Sequence, residues 1–254
     1  MTASDYASAG APFDRVAANY DATWTRSDVG RAQRDAVWDV VDRLFQPGDE
    51  ILDVGCGTGE DAVHLGRRGV HVSGIDASGE MVKIACSRGV AATRLAVEEL
   101  ERIHARYDGL LSDFGALNCT ADLEGVAGSF ARLVRPRGYA VVCLLSRTCA
   151  WEMAWYALRL RPRTAFRRLS RGPVLTSLGV PVYYPSARRI QRAFGRDFEA
   201  ICSRGVGVTV PPSYVGLPRR LVRIAEAIDL RLGRLPVFRA CGDHRLYVFQ
   251  RRPA

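Results

Sequence analysis

Three glycines at alternating positions separate a short apolar run from a polar stretch. They are Gly55, Gly57 and Gly59, and the surrounding residues 51–59 read ILDVGCGTG. Glycines between a strand and a helix let the backbone turn sharply and approach a ligand without clashes from a Cβ atom. A tight turn without a ligand is the alternative, so the neighbouring residues must decide between the two.

The residue that favours a ligand is Asp76, which ends the next apolar stretch. A carboxylate about 20 residues after a glycine loop can accept hydrogen bonds from both hydroxyls of a ribose. The dinucleotide fingerprint GxGxxG has its third glycine where this chain has Glu60, which Asp61 follows. Two carboxylates there would repel a diphosphate. The pattern therefore favours a ribose-bearing ligand without phosphates, and it disfavours a nicotinamide-dependent oxidoreductase, the alternative enzyme class.

The surrounding pattern predicts the elements that position these residues. Apolar runs of strand length lie at residues 50–54, 70–75, 91–95, 108–111, 139–146, 198–208 and 244–251. Helical spacing or capping signals lie at residues 31–45, 60–68, 78–87, 122–134, 151–161, 186–194 and 217–233. This order predicts an α/β fold, namely a Rossmann-like, doubly wound, mostly parallel seven-stranded sheet with helical insertions that form a substrate lid.

The glycine loop belongs to a longer segment with a family resemblance. Residues 51–85 read ILDVGCGTGEDAVHLGRRGVHVSGIDASGEMVKIA, which resembles the cofactor-binding region of class I S-adenosylmethionine-dependent methyltransferases. Residues 13–41 read FDRVAANYDATWTRSDVGRAQRDAVWDVV and resemble the lead-in of the small-molecule branch that includes the ubiquinone and menaquinone methyltransferases. The resemblance implies S-adenosylmethionine as cofactor. The resemblance covers residues 13–146, fades over 147–240 and returns weakly at 243–251. From the resemblance together with the order of the predicted elements, we expect a single methyltransferase domain over residues 1–254, with a cofactor-binding half at 1–146 and helical lid insertions at 147–185 and 211–240.

The resemblance implies a role for each matching position. The loop that begins at Asp53 would wrap the methionine part of the cofactor, Asp76 would hold the ribose, and Ala77 and Met81 would flank the adenine. Tyr20 and Arg34 match positions that close over the cofactor or meet its carboxylate, although simple packing and a solvated helix face are the alternatives for them. The predicted cofactor-binding residues are Tyr20, Arg34, Asp53, Gly55, Cys56, Gly57, Gly59, Asp76, Ala77, Met81, Val97 and Asp113.

One position departs from the family pattern. Members often carry an acid after the third strand that accepts a hydrogen bond from the adenine amino group, and this chain has Ala96 there. Glu98 and Glu99 are near but out of register. We therefore expect the backbone around Val97 to make the adenine contact.

The sequence contains no conspicuous catalytic motif. Methyl transfer is an in-line displacement at an activated carbon, so a closed pocket that holds the reacting atoms together can suffice. A general base is needed only where the nucleophile must lose a proton, and His244 is the candidate. The predicted substrate residues are Phe114, Asn118, Trp151 and Trp155, with core packing and a turn or helix cap as alternatives for the first two. No cluster has the ligand spacing of a metal site, so no metal is expected.

The net charge of +9 is unevenly distributed along the 254 residues. Residues 1–150 carry 15 Arg and one Lys against 21 acids, a net of −5, whereas residues 151–254 carry 20 Arg against 6 acids, a net of +14. The basic half, with Trp151 and Trp155, suits a lid over an anionic or amphipathic small-molecule acceptor, or peripheral contact with an anionic membrane. A compositional bias toward arginine is the alternative. No nucleic-acid-binding motif accompanies the charge, so no nucleic-acid partner is expected.

Composition and cysteine usage indicate the class and compartment. With 48% apolar and 25% charged residues, the chain has the composition of an ordinary globular protein. Neither a secretory signal nor a membrane-spanning run is recognisable, and the seven cysteines include no CxxC pair. We therefore expect reduced thiols and a cytoplasmic location. A non-catalytic cofactor-binding protein that docks to a membrane or RNA is the remaining alternative to an enzyme, and the oligomeric state is unknown.

Overall fold

The structure, a computed structural model, describes residues 10–253. Its strands are β1 Glu50–Val54, β2 His71–Asp76, β3 Ala91–Arg94, β4 Tyr107–Ser112, β5 Val134–Leu145, β6 Val174–Leu175, β7 Pro181–Val182, β8 Phe198–Val206 and β9 His244–Arg251. Seven of them form one sheet in the order β3-β2-β1-β4-β5-β9-β8, and β6 pairs with β7 separately. Only β9 runs antiparallel to its neighbours in the large sheet. The predicted mostly parallel, seven-stranded α/β sheet is confirmed.

The α-helices connect and cover these strands. They are α1 Ala11–Asp14, α2 Ala17–Tyr20, α3 Asp28–Leu44, α4 Glu60–Gly66, α5 Gly79–Ser87, α6 Leu123–Leu133, α7 Ala150–Ala157, α8 Pro162–Ala165, α9 Ala187–Gly195 and α10 Arg219–Leu232. The side chains of Ser27, Ser78 and Asp122 cap α3, α5 and α6 by accepting a backbone N–H of the first turn. The short helices α1 and α2 and the π-helical turn Asp21–Thr25 have no counterpart among the predicted elements.

Two apolar cores lie on opposite faces of the sheet. Because successive strand residues point to opposite faces, Leu110 and Val142 belong to the core beneath α6 and α9, whereas Leu111 and Val141 belong to the core beneath α3. Phe130 fills the first core and is fully buried. Burial on both faces explains why the central strands are continuous apolar runs.

The chain order of the strands reverses at β1, which lies between β2 and β4. The segments after these three parallel strands therefore lie at one edge of the sheet, at the topological switch point where open α/β sheets bind their ligands. The register Asp53↔Gly74 and Val54↔Ile75 brings the glycine loop beside the end of β2. The fold thus brings together the residues that the sequence singles out.

Two insertions follow β5 and β8. The first insertion (residues 147–185) contains α7, α8 and the β6-β7 hairpin, and the second insertion (residues 211–240) contains α10. The single helix predicted over 151–161 is divided, because α7 ends at Ala157 and Leu160 adopts a φ of 55°. No helix in residues 10–253 is long and apolar enough to cross a membrane.

Candidate functional site

A pocket opens at the switch point, with about 1030 Å³ free of protein atoms. Eleven of the predicted residues line it, namely Tyr20, Arg34, Gly55, Cys56, Gly57, Asp76, Ala77, Met81, Val97, Asp113 and Phe114. The structure therefore brings most of the predicted cofactor-binding residues to one cavity.

The glycine loop forms one wall of the pocket. The backbone N–H groups of Gly55 and Cys56 both donate to the carbonyl of Ile75, at 2.8 and 2.9 Å, so the loop is fixed to β2. Gly55 has a φ of 80°, and a Cβ there would lie 2.2 Å from the Ala116 side chain. Only glycine fits this position.

Gly59 has a different place from the other two loop glycines. It lies outside the pocket lining, and a Cβ on it would lie 3.0 Å from Ala85 and 3.1 Å from Val90. With a φ of 81°, Gly59 lets α4 begin close to α5. The structure thus gives Gly59 a packing function instead of a place at the ligand.

Asp76 is held in place by backbone donors. One carboxylate oxygen accepts from Gly57 N at 2.9 Å and the other from Ser78 N at 2.8 Å. Burial raises the pKa of this carboxyl group. Each oxygen retains a lone pair, so the carboxylate can accept one hydroxyl group on each oxygen. This geometry fits the vicinal hydroxyls of a ribose.

An apolar slot lies beside Asp76, where Ala77, Met81, Leu95 and Val97 line the pocket. Ala96 itself is absent from the lining, and its backbone N–H donates to Glu99 at 3.1 Å. Glu98 does line the pocket, because a 3₁₀ turn over Val97–Arg102 follows the strand. If the strand continued in an extended form, the Glu98 carboxylate would not face the pocket. The strand pattern in the sequence therefore did not predict this position.

Beneath the loop, Asp53, Asp61 and Asp113 surround the buried guanidinium of Arg34. Arg34 donates to Asp61 and lies 3.9 Å from Asp113. Among the described residues, neither oxygen of Asp53 nor Oδ2 of Asp113 has a hydrogen-bond partner. Burial, together with the negative charge of Asp61, raises the pKa of both carboxyl groups well above the usual range. The site contains three carboxyl groups and one guanidinium group, so it suits a cationic ligand.

Tyr20 and Phe114 add aromatic surface to the pocket. Burial raises the pKa of Tyr20 to about 12, so its hydroxyl is a donor at neutral pH. Phe114 packs edge-on against Trp24 at 4.7 Å and against His244 at 5.4 Å between ring centroids. His244 is buried behind Phe114 and does not line the pocket. Burial lowers the pKa of His244, so its imidazole is neutral near pH 7.

Three of the predicted substrate residues also lie outside the pocket lining. The amide of Asn118 donates to the Tyr183 carbonyl at 2.7 Å and accepts from Leu145 N at 2.8 Å, which ties the first insertion to β5. Trp151 donates to the Thr209 carbonyl at 3.1 Å, and Trp155 stacks beneath the Arg159 guanidinium at 3.3 Å. Asn118 and Trp151 therefore connect segments, and no contact in the described chain brings either of them to the cavity.

Two arginines of the first insertion are neutralised inside the protein. Arg168 pairs with Glu152 at 2.9 Å and with Asp243 at 2.7 Å, and Arg167 donates twice to Glu152. Tyr214 of the second insertion also donates to Glu152, at 3.1 Å. These side chains bind the insertions to each other and to the segment before β9. The sequence-based expectation that insertion arginines meet an acceptor does not fit these two, because their charges are already paired.

The pocket contains further residues that the sequence did not single out as site residues. They are Phe13, Thr58, Glu60, Asp61, Leu95, Glu98, Gly115, Ala116 and Cys119. Thr58, Glu60 and Asp61 had a usable signal, since they lie in the glycine loop or at the start of the helix that follows it. The others come from the N-terminal segment and from the turns after β3 and β4. Within residues 10–253, no group of three or more His, Cys, Asp or Glu side chains could hold a metal ion.

Comparison with known proteins places this architecture in a family. Residues 29–177 match the family model described as a methyltransferase domain. A demethylmenaquinone methyltransferase of Tropheryma whipplei (strain Twist) is 36% identical over 125 residues, covering 46% of this chain and 52% of that protein. A ubiquinone biosynthesis O-methyltransferase of Xylella fastidiosa (strain 9a5c) is 33% identical over 135 residues, covering 48% of this chain and 54% of that protein. The chain thus spans about half the length of these curated relatives.

The fold extends further than the sequence similarity. The solved structure of the CcbJ methyltransferase from Streptomyces caelestis superposes with a TM-score of 0.64 at 16% identity, covering 96% of this chain and 99% of that one. The pocket also fits the cofactor of such proteins, because Asp76 suits a ribose and the unpartnered carboxylates suit cationic groups. The chain belongs to the methyltransferase domain family, and S-adenosylmethionine is the cofactor that this family and fold imply.

Proposed function

We propose that this chain transfers a methyl group from S-adenosylmethionine to a small organic acceptor that is amphipathic or anionic. When bound, S-adenosylmethionine supplies a methyl carbon activated by its sulfonium charge. The observation that carries the proposal is the acidic pocket, in which Asp76 is anchored by two backbone N–H groups and Asp113 has an oxygen without a hydrogen-bond partner, while Asp53 lies beneath the pocket lining. A cationic, ribose-bearing ligand without phosphates suits this arrangement.

The contribution of the chain to the reaction is mainly positioning. Asp76 would hold the ribose at the centre of the cofactor, and the apolar slot around Met81 would exclude water from its adenine. No histidine lines the pocket in the part of the chain that the structure describes. We therefore expect an acceptor group that loses its proton readily without a nearby base. His244 stays a candidate base, and it would act from behind Phe114.

An aromatic acceptor with an apolar part is the substrate class that we favour. Tyr20 and Phe114 offer ring surface in the pocket. The two curated relatives carry names from menaquinone and ubiquinone biosynthesis, which are consistent with such an acceptor. Aromatic rings stack or pack edge-on at centroid distances of about 4.5–7 Å, so these two side chains can orient a planar acceptor.

The test is transfer of a labelled methyl group to fractionated extract of the source organism, followed by mass identification of the product. We expect the label in a small, organic-soluble molecule, and we expect no transfer by the Asp76→Ala variant. Label that remains on the cofactor with every fraction would contradict the proposal and favour a non-catalytic cofactor-binding protein. Label in RNA or protein would contradict the acceptor class while keeping the reaction.

A further inference from the structure

Helix α10 of the second insertion keeps an apolar stripe outside the protein. Val222 and Asp229 are buried on the face that packs against α3. Leu221, Ile224 and Ile228 are 49%, 59% and 44% exposed, respectively. Their spacing of three and four residues places them on one helical face. We call these three residues the α10 stripe.

Arginines flank the α10 stripe. Arg220 precedes Ile224 by four residues and Arg231 follows it by seven, so both lie along the edge of the stripe on a helix of 3.6 residues per turn. Arg223 lies further round on the exposed side. Within residues 10–253, Arg220 and Arg231 form no ion pair, whereas the charge of Arg223 interacts with that of Glu226. Unneutralised cations therefore border an unpartnered apolar surface.

The tip of the first insertion repeats this combination. Leu158 and Leu160 are 83% and 89% exposed, next to the exposed Arg161. Leu160 has a φ of 55°, in the left-handed region that residues with a Cβ rarely adopt. The two insertions meet through Tyr156 and Tyr214, whose ring centroids lie 5.8 Å apart. Exposed leucines and free arginines thus occur on neighbouring segments.

We propose that the α10 stripe docks onto the surface of an anionic lipid bilayer. A helix that lies in the membrane interface has this form, with apolar side chains that enter the acyl boundary and basic side chains that meet the headgroups. A second copy of the chain is a poorer occupant, because two-fold pairing of the stripe would bring the arginines at its edge together. Docking is independent of methyl transfer, because none of these residues lines the pocket.

The test is sedimentation of the full chain with vesicles of phosphatidylglycerol and phosphatidylcholine, and with vesicles of phosphatidylcholine alone. We expect binding to the anionic vesicles that falls with added salt. The variant Ile224→Asp/Ile228→Asp should bind at least about tenfold more weakly, because burying one isoleucine alone is worth about that factor. Arg220→Gln/Arg231→Gln should weaken binding to anionic vesicles about 20-fold, at roughly fivefold per charge.

The matched control is Ile201→Asp, which changes an isoleucine of similar exposure, 48%, on the edge strand β8. It should bind vesicles as the wild type does. Binding of S-adenosylhomocysteine by every variant reports correct folding, so a failure here is separate from failure of the proposed function. Equal losses in Ile201→Asp, no wild-type binding, or a dimer that the α10 substitutions dissociate would each overturn the proposal.

Discussion

Asp76 offers the sharpest test of the cofactor site. The substitution Asp76→Ala removes a carboxylate whose two oxygens are already oriented by Gly57 N and Ser78 N, at 2.9 and 2.8 Å. In the proposed complex the same oxygens accept the two ribose hydroxyls. The variant therefore loses both ligand contacts, and it also leaves two backbone donors of the pocket wall without their acceptor.

The expected magnitude follows from these contacts. A hydrogen bond to a charged group contributes about 1.5–3 kcal/mol, so the loss of two costs about 3–4 kcal/mol if they are only partly additive. Because 1.4 kcal/mol corresponds to a factor of ten, the dissociation constant should rise about 100- to 1000-fold. Asp76→Asn, which keeps one oxygen acceptor, should lie between this variant and the wild type.

The assay is calorimetric titration with S-adenosylhomocysteine, alongside a thermal melt. The matched control is Asp122→Ala, because Asp122 also accepts a backbone N–H, from Gly125 at 2.9 Å, but lies outside the pocket. This control loses a helix cap worth about 1 kcal/mol, which lowers the melting temperature by about 2–4 °C, and its affinity should stay within about twofold of the wild type.

The reasoning would be refuted by an Asp76→Ala variant that binds within about threefold of the wild type while melting lower. In that case the carboxylate only holds the glycine loop, and the ribose assignment is wrong. If neither the wild type nor the variant binds the ligand, the proposed function itself fails, so the two outcomes are distinguishable.

Three further predictions address the loop, the insertions and the buried acids. Gly55→Ala places a Cβ 2.2 Å from a neighbouring side chain, so it should abolish cofactor binding and lower the free energy of unfolding by about 2–3 kcal/mol. Its control is Gly48→Ala, at a position with a φ of 91° and open space, which should lower the free energy of unfolding by about 1 kcal/mol and leave binding intact. Glu152→Gln removes a buried carboxylate that accepts from Arg167, Arg168 and Tyr214, so it should lower the melting temperature by about 6–15 °C although Arg168 keeps Asp243 as a partner. Glu124→Gln, in an exposed pair, should lower it by less than about 3 °C. S-adenosylmethionine should release protons on binding, because its positive charge lowers the pKa of Asp113, a pocket carboxyl group whose pKa burial has raised; affinity should then increase with pH up to that raised pKa. Equal apparent enthalpies in phosphate and Tris buffers would contradict this last prediction, and S-adenosylhomocysteine, which lacks the sulfonium, should release fewer protons.

The cofactor half could be predicted because its chemistry lies in one contiguous stretch. The glycine loop and Asp76 belong to neighbouring parallel strands, and the register Val54↔Ile75 converts their spacing along the chain into proximity. Strand, turn, helix and strand each leave a local pattern, so the sheet and the ribose position follow from residues within about 30 positions of each other.

The acceptor side could not be predicted in the same way, because its contacts join distant segments. The amide of Asn118 bonds to Tyr183 and Leu145, and Glu152 collects donors from two insertions. A side chain that binds such partners has no periodic signature, so it is indistinguishable in the sequence from one that faces a substrate. Glu98 shows the converse, since a single 3₁₀ turn brings to the pocket a carboxylate that strand periodicity places elsewhere.

The effect of the excess arginines depends on where their side chains lie in the fold and not only on their order along the chain. Of the 20 arginines in residues 151–254, seven form ion pairs among the described residues, namely Arg167, Arg168, Arg189, Arg204, Arg219, Arg234 and Arg251. Several of their partners, including Asp39 and Glu124, belong to the acidic first half. These arginines stabilise contacts between segments, and their charge is not available to a ligand. Three of the arginines without an ion pair, Arg161, Arg220 and Arg231, lie beside exposed apolar side chains of the two insertions, and the proposed anionic bilayer would contact both kinds of side chain. The net charge of +14 therefore combines arginines neutralised inside the protein with unpaired arginines on the surface, and only the unpaired ones can attract the anionic partner that we propose.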